Sequence, residues 1–346
     1  MDYNKAADLK SFGMEPAQTL DFSLTLPAGY RNDMRNFERE ELTLKILRFN
    51  DDRIGVIKDG NRVVDVSDSV SARKAKGAQR VMEEIIEGWR KYRRRFEKIT
   101  AEQPGVPLDS VQLRCPLPRP SKCIAAFSNY IDRPERTADN FPNEYFYKSS
   151  DLVGPDGAVE LRDIPASVVY QPEAEFAFVM GKIAKDVPEN KALDYVFGYV
   201  PFFDISTRGM VRRTQFVPKG QDSHGCCGPW IITKDEISDP HNVNVKSWTN
   251  GEPRQNYNTG SMAHKIPNQI AWLTRFVRLN PGDIIATGTF HEGLKPVNSG
   301  DTIEIEFANM GRAKFAVKGN SPRKEVEWLP GKNQPTPPAG GGMHIV

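Results

Sequence analysis

Tyr170-Gln171-Pro172-Glu173-Ala174-Glu175-Phe176-Ala177-Phe178-Val179 is the stretch on which the reading of this chain turns. Residues two apart on a strand point the same way, so Glu173 and Glu175 present two carboxylates to one face. The run that follows, FAFVMG, is apolar and reads as buried, and Pro172 suits a strand start or edge. Two like charges at the lip of a buried strand repel unless something cationic lies between them. A divalent ion is the economical answer. A third acid follows about thirty residues on: GYVPFFDISTRG puts Asp204 at the end of another apolar run. Alone, an Asp there reads as a turn cap. Three acids, each ending a buried strand, read as a hard-cation site. Oxygen-only ligands favour Mg²⁺, Ca²⁺ or Mn²⁺ over zinc. The five histidines show no HxxxH or HxH spacing, which also disfavours zinc.

Working outward, the segments around this stretch are strand-like. KCIAAF, ALDYVFGYVPFFDIS, GPWIIT, NVKSW, DIIATGTF, TIEIEF and AKFAVKG are short apolar or alternating runs between turn signals. Pro281-Gly282-Asp283 and Ser299-Gly300-Asp301 mark two of those turns. Nearer the start, Asp59-Gly60 between IGVI and RVVDV signals a β-hairpin. Val81, Ile85, Trp89, Tyr92 and Phe96 recur at helical spacing and predict one helix over residues 78–102. Its other face carries Arg90, Lys91, Arg93, Arg94 and Arg95; with Glu83, Glu84 and Glu87 nearby it reads as a solvated face. A further helix is expected at about 268–279. The fold class is therefore mainly β with some α (α+β). The expected organisation is an N-terminal arm (1–40), a small N-terminal α/β domain (41–103), a Pro-rich linker (104–120), a main domain (121–325) and a mobile Pro/Gly-rich tail (326–346).

Composition narrows the function. The 346 residues are 38% hydrophobic and 27% charged, which excludes a mainly disordered chain. Lys plus Arg (47) nearly balances Asp plus Glu (45), against the basic excess expected of a nucleic-acid binder. No apolar run is long enough for a membrane helix, so neither nucleic acid nor membrane is an expected partner. The opening MDYNKAADLKSFGM has no basic segment leading into an apolar one. Cys115, Cys123, Cys226 and Cys227 form no CxxC pairs and no disulfide framework. They read as small buried residues in a reducing, cytoplasmic setting.

The ordered pieces FSNY, FPNEYFYK, PEAEFAFVMGK, YVFGYVPFFDIS, KGQD, GPWIIT, NGEPRQNYNT, LNPGDIIATGT and GDTIEIEF together resemble the fumarylacetoacetate hydrolase superfamily, from about Ser121 to Gly319. The hairpin region from residue 41 is similar to the smaller N-terminal domain of many members. The resemblance implies a mixed β-roll, often a homodimer, acting on a small oxo-acid or dicarbonyl substrate. It implies metal ligation by Glu173, Glu175 and Asp204, usually of Mg²⁺. It assigns catalytic roles to Lys219 and Asp222 of the Lys-x-x-Asp element, to Lys148 and to Thr289. Tyr130, Arg208 and Gly288 fall at substrate-side positions, and His291 lies just after the Thr287-Gly288-Thr289 loop. A metal chelated by a 2-oxo acid or 1,3-dicarbonyl polarises the carbonyl and stabilises an enolate. Lys219 adds positive charge where that oxyanion develops. The implied reaction is hydrolysis of a C–C bond.

One element departs from the pattern. Hydrolytic members carry a His and a Glu after Asn-Tyr, as NYxxHxxE. Here Asn129-Tyr130 is followed by Ile131-Asp132-Arg133-Pro134-Glu135-Arg136, so arginines hold both positions. An arginine cannot serve as a base at neutral pH. Two consequences compete. Arg133 and Arg136 bind a substrate carboxylate, and the enzyme is a decarboxylase, hydratase or tautomerase; or another residue activates water and hydrolysis survives. Asp132 and Glu135 are the nearby substitutes, His224 reads as a packed histidine, and His291 as the better candidate for substrate contact. A retired, non-catalytic binding protein is the remaining alternative.

Overall fold

A computed structural model describes residues 44–71, 76–164, 169–209, 214–308 and 310–320. The expected arm at 1–40 and tail at 326–346 lie outside the described residues. Among those described, a twelve-stranded sheet and a five-stranded sheet carry most of the regular structure. The strand pairs are antiparallel, except Ile284–Ala286 with Cys123–Ala126 and Arg312–Gly319 with Ala158–Leu161. The expected mixed, mainly β fold is thus present.

Two long strands, Val169–Met180 and Val196–Arg208, form the middle of the large sheet. They pair antiparallel along their length, with Asp204 opposite Glu173 and Phe202 opposite Glu175. Because side chains alternate, each strand offers different residues to the two sides of the sheet. One side carries Phe176, Phe178, Tyr199 and Phe203, which meet the five-stranded sheet; the Phe176 and Phe307 rings lie 4.8 Å apart and those of Phe203 and Phe315 6.1 Å apart. The other side carries Ala177, Val179, Val200 and Phe202, packed in one cluster with Val81, Ile85, Tyr92 and Phe96 from the helices. Further along that same side the residues turn polar: Glu175, Glu173 and Gln171 on one strand, Asp204, Ser206 and Arg208 on its partner.

Pro172 lies inside the Val169–Met180 strand rather than at its start. The sequence rule still applies locally. Ile205, opposite Pro172, sends its N–H to His224 on its far side, so the pair exchanges no ladder bond. Beyond Pro172, among the described residues, no strand continues the sheet, since Ile284–Ala286 pairs only with residues 177–179. The proline therefore removes no needed donor.

The Asp59-Gly60 hairpin forms as expected, both residues having positive φ (53° and 75°) between Arg53–Lys58 and Arg62–Asp65. Lys45–Phe49 pairs with Ile231–Thr233, so the strands of residues 45–65 extend the large sheet. The single helix expected over 78–102 is two, Ala78–Glu87 and Trp89–Glu102, broken at Gly88, whose N–H returns to the Glu84 carbonyl. Glycine is a poor helix residue, and the apolar period continued through it. The helix expected at 268–279 runs Ile266–Phe276. Residues 192–195, read as the head of a strand, belong instead to a 3₁₀ segment, Glu189–Tyr195. No helix of the described residues is long and apolar enough to cross a membrane.

Candidate active site

The register that pairs Asp204 with Glu173 gathers three carboxylates on one face. One oxygen from each of Glu173, Glu175 and Asp204 lies within 4.8 Å of the others, and all three residues are buried. Three cations meet them. Lys219, from the short Phe216–Lys219 helix, donates to Glu173 Oε2 and Asp204 Oδ2, both at 2.7 Å, and to Ser206 Oγ. Lys148 donates to Asp204 Oδ1 at 2.7 Å and to the Lys219 carbonyl. Arg208 donates to Glu173 Oε1 and, at 2.9 Å, to Gln171 Oε1. All three are buried. Removing a charge from water is costly unless it is paired and hydrogen-bonded, and these pairs meet that condition.

Glu175 is the exception. Its Oε2 accepts the Gly288 N–H at 2.8 Å, but Oε1 is buried with no partner among the described residues. Burial, reinforced by the charges of Asp204 and Glu173, pushes its carboxyl well above the ordinary range. Burial also opposes ionisation of Glu173, but the charges of Lys219 and Arg208 outweigh it and hold that carboxyl well below the ordinary range. A buried, unpartnered oxygen beside two more carboxylate oxygens is an incomplete coordination shell for a hard divalent cation. The donor set is oxygen only, which fits the Mg²⁺, Mn²⁺ and Ca²⁺ class.

The Thr287-Gly288-Thr289 loop closes over this face. Thr287 donates to the Phe176 carbonyl (2.7 Å) and Thr289 to the Ala174 carbonyl (2.6 Å). Gly288 has φ +89°, and an added Cβ would meet Asn129 backbone and side-chain atoms at 3.1 Å, so glycine is required there. Tyr130 lies fully buried with its hydroxyl 3.3 Å from Thr287 Oγ1. Gln255, which the sequence reading did not single out, donates to Thr289 Oγ1 at 2.7 Å and accepts from Ala174 N at 2.9 Å. Its signal was its place in NGEPRQNYNT.

The remaining candidates fall into separate groups. Asp222 is exposed and accepts from Ser149 at 2.9 Å. Arg133 is exposed. Arg136 donates to Asp132 Oδ1 at 2.8 Å and lies over the Phe141 ring. His291 Nδ1 sits 2.6 Å from Asp132 Oδ2. His224 is fully buried, and burial, with the charge of Lys148, lowers it to about 3. The four cysteines are buried and free.

Fold and site define a β-rich protein with a buried hard-cation centre on a paired-strand face. The model of the fumarylacetoacetate (FAA) hydrolase C-terminal domain matches residues 122–318, and the chain belongs to that family of metal-dependent enzymes. The chain is similar to the maleylpyruvate hydrolase of Aquipseudomonas alcaligenes, 32% identical over 80% of this chain and 99% of the relative. It is also similar to a mitochondrial oxaloacetate tautomerase of Xenopus laevis, 30% identical over 83% and 93%. Among solved structures, the maleylpyruvate hydrolase of Sphingobium sp. SYK-6 in complex with manganese(II) ion and pyruvate superposes with TM-score 0.71 at 32% identity, covering 80% of this chain and all of that one.

Proposed function

We propose that the protein hydrolyses a C–C bond in an acylpyruvate, a maleylpyruvate-like dicarbonyl acid, releasing pyruvate. The observation that carries this reading is the carboxylate triad with its unpartnered Glu175 oxygen, taken with the similarity to hydrolases one of which is solved with manganese and pyruvate. Glu173, Glu175 and Asp204 would hold the divalent cation, Mg²⁺ or Mn²⁺. When bound, that cation supplies Lewis-acid polarisation of the substrate carbonyl. The chain's own residues do the rest. Lys219 and Arg208 keep Glu173 ionised, and Lys148 and Lys219 fix both Asp204 oxygens, so those ligands need no reorganisation. The Gly288 N–H holds Glu175 Oε2, so the loop would shield that side of the site from water.

A second reading, interconversion of the tautomers of a 2-oxo acid such as oxaloacetate, rests on Arg133 and Arg136 at the positions where hydrolytic members carry His and Glu, and on the tautomerase relative. Incubating the protein with acylpyruvates, oxaloacetate and 2-oxo-3-deoxy acids, with Mn²⁺, Mg²⁺ or EDTA, separates the two by product mass. Hydrolysis adds water across an acylpyruvate and EDTA abolishes it. Oxaloacetate tautomer exchange without hydrolysis of any acylpyruvate would favour the second reading. Glu175→Gln should weaken Mn²⁺ binding by at least about 10²-fold in calorimetry, more than is usual for loss of a group outside the coordination shell.

A further inference from the structure

The hydrolase reading leaves open which group takes the proton from water, since arginines occupy the expected positions. One histidine–carboxylate pair stands on the segments that follow Asn129-Tyr130 and the Thr287-Gly288-Thr289 loop, whose Gly288 N–H is held by Glu175. Asp132 lies two residues beyond Tyr130, and His291 two beyond Thr289. Their two segments are tied together: Asn129 donates to the Thr287 carbonyl at 3.0 Å, and Tyr130 meets Thr287 Oγ1. That junction brings Asp132 and His291 together across 159 residues of chain. The Asp132 carboxylate is only 2% exposed and is gripped from both sides, by His291 at 2.6 Å and Arg136 at 2.8 Å, each of which remains 27% exposed. The charge of His291 is felt at Glu173, so the imidazole lies within electrostatic reach of the triad.

We propose that His291 is the group that takes the proton from the attacking water, with Asp132 and Arg136 as its positioning residues; this rests on the hydrolase reading above. Burial pushes the Asp132 carboxyl up, but the hydrogen bond and charge of His291, with the charge of Arg136, outweigh it and hold the group below its ordinary value. An ionised carboxylate only accepts, so Nδ1 of His291 carries a proton, and in the neutral imidazole Nε2 is then the atom whose lone pair can take one from water. This is the arrangement general-base catalysis needs: a base oriented by a third group and half open to solvent. Arg136 then serves the pair through its Nη1, which holds Asp132 Oδ1. The acid stands on the segment after Asn-Tyr and the histidine on the substrate-side loop.

The step balances without a further reactant. Nε2 takes one proton of water as the water oxygen bonds to the acyl carbonyl carbon. The C–C bond breaks, its electron pair passing to the pyruvate-side carbon, and the proton on Nε2 is returned to that carbon. The acid product keeps the hydroxyl and pyruvate gains the hydrogen.

The test uses the full chain with Mn²⁺ and the acylpyruvate that it hydrolyses fastest. His291→Gln should lower kcat about 10²- to 10⁴-fold with KM little changed. Asp132→Asn should fall between His291→Gln and the parent, and Asp132→Glu should recover most of the loss. Glu292→Gln, at the exposed neighbour, should leave kcat unchanged. Nitrogen-15 NMR of the metal-free protein supplies a readout apart from turnover: His291 should be the Nδ1–H tautomer in the parent and lose that preference in Asp132→Asn. A rise in KM alone for His291→Gln, or an Nε2–H tautomer in the parent, overturns the assignment. A parent that exchanges oxaloacetate tautomers but hydrolyses no acylpyruvate overturns the hydrolase reading and the water-activating role with it, while the NMR result still decides whether the oriented pair exists.

Discussion

The carboxylate cluster and the Asp132–His291 pair are built in opposite ways. The cluster's acids and Arg208 sit on two strands whose register fixes them, Lys219 and Lys148 reach in from outside that pair, and all six residues are buried. The pair sits on two loops, with a buried acid between two half-open partners. The difference follows from the work proposed for each. Groups that hold a small hard cation must be preorganised, and a sheet does that best. A group that exchanges protons with water must reach it, and loops do that best.

The contrast can be broken or sharpened by substitution. The largest effect is expected at Lys148→Met, which strips Asp204 Oδ1 of its buried cation; unfolding in urea should show a loss of about 3–5 kcal/mol. Next comes acid sensitivity. His224 is held at about 3 against an ordinary 6.5, so as pH falls below that ordinary value the unfolded chain takes up a proton that the folded one refuses. The stability contributed by the neutral imidazole is full above about pH 6.5 and drains away toward pH 3. By pH 4 the loss attributable to this residue should reach roughly 3 kcal/mol, read as the difference between the parent and His224→Phe across the pH range. Gly288→Ala follows, at about 1–3 kcal/mol, because alanine is strained at φ +89° and crowds Asn129; thermal unfolding measures it. Smallest is Arg136→Met in the loop pair. Its partly exposed ion pair should cost under about 1 kcal/mol in the same urea experiment while kcat falls. If Lys148→Met and Arg136→Met cost the same, the two regions are not built differently.

What could be read from the chain depended on how far apart the participating residues lie. Glu173 and Glu175 were placed on one face by strand periodicity, and they share it. That Asp204 stands opposite Glu173 depends on register, which alternation within a single strand does not encode. The paired strands, the Asp59-Gly60 hairpin and the apolar helix positions carried local signals. The break at Gly88 did not interrupt the apolar period, so the pattern ran on through it. Asp132 and His291 carry no joint signal at all: each is an ordinary polar residue after a quoted motif, and only the tertiary junction at Thr287 makes them neighbours. Asp222, placed beside Lys219 by its motif, points instead to Ser149, because a three-residue offset at the end of a short helix does not fix a direction.

The unbroken ladder from Gly198 opposite Val179 to Arg208 opposite Val169 gives the sheet something like a reading frame. Drop one residue from the Val169–Met180 strand ahead of Glu173, with the pairing before the gap held in register, and everything after the gap rolls over. Glu173 and Glu175 would then face the aromatic layer of Phe307 and Phe315, and Ala174 would stand where an acid belongs. Drift in this segment is therefore open to substitution and closed to single insertions and deletions, even where every individual side chain is retained.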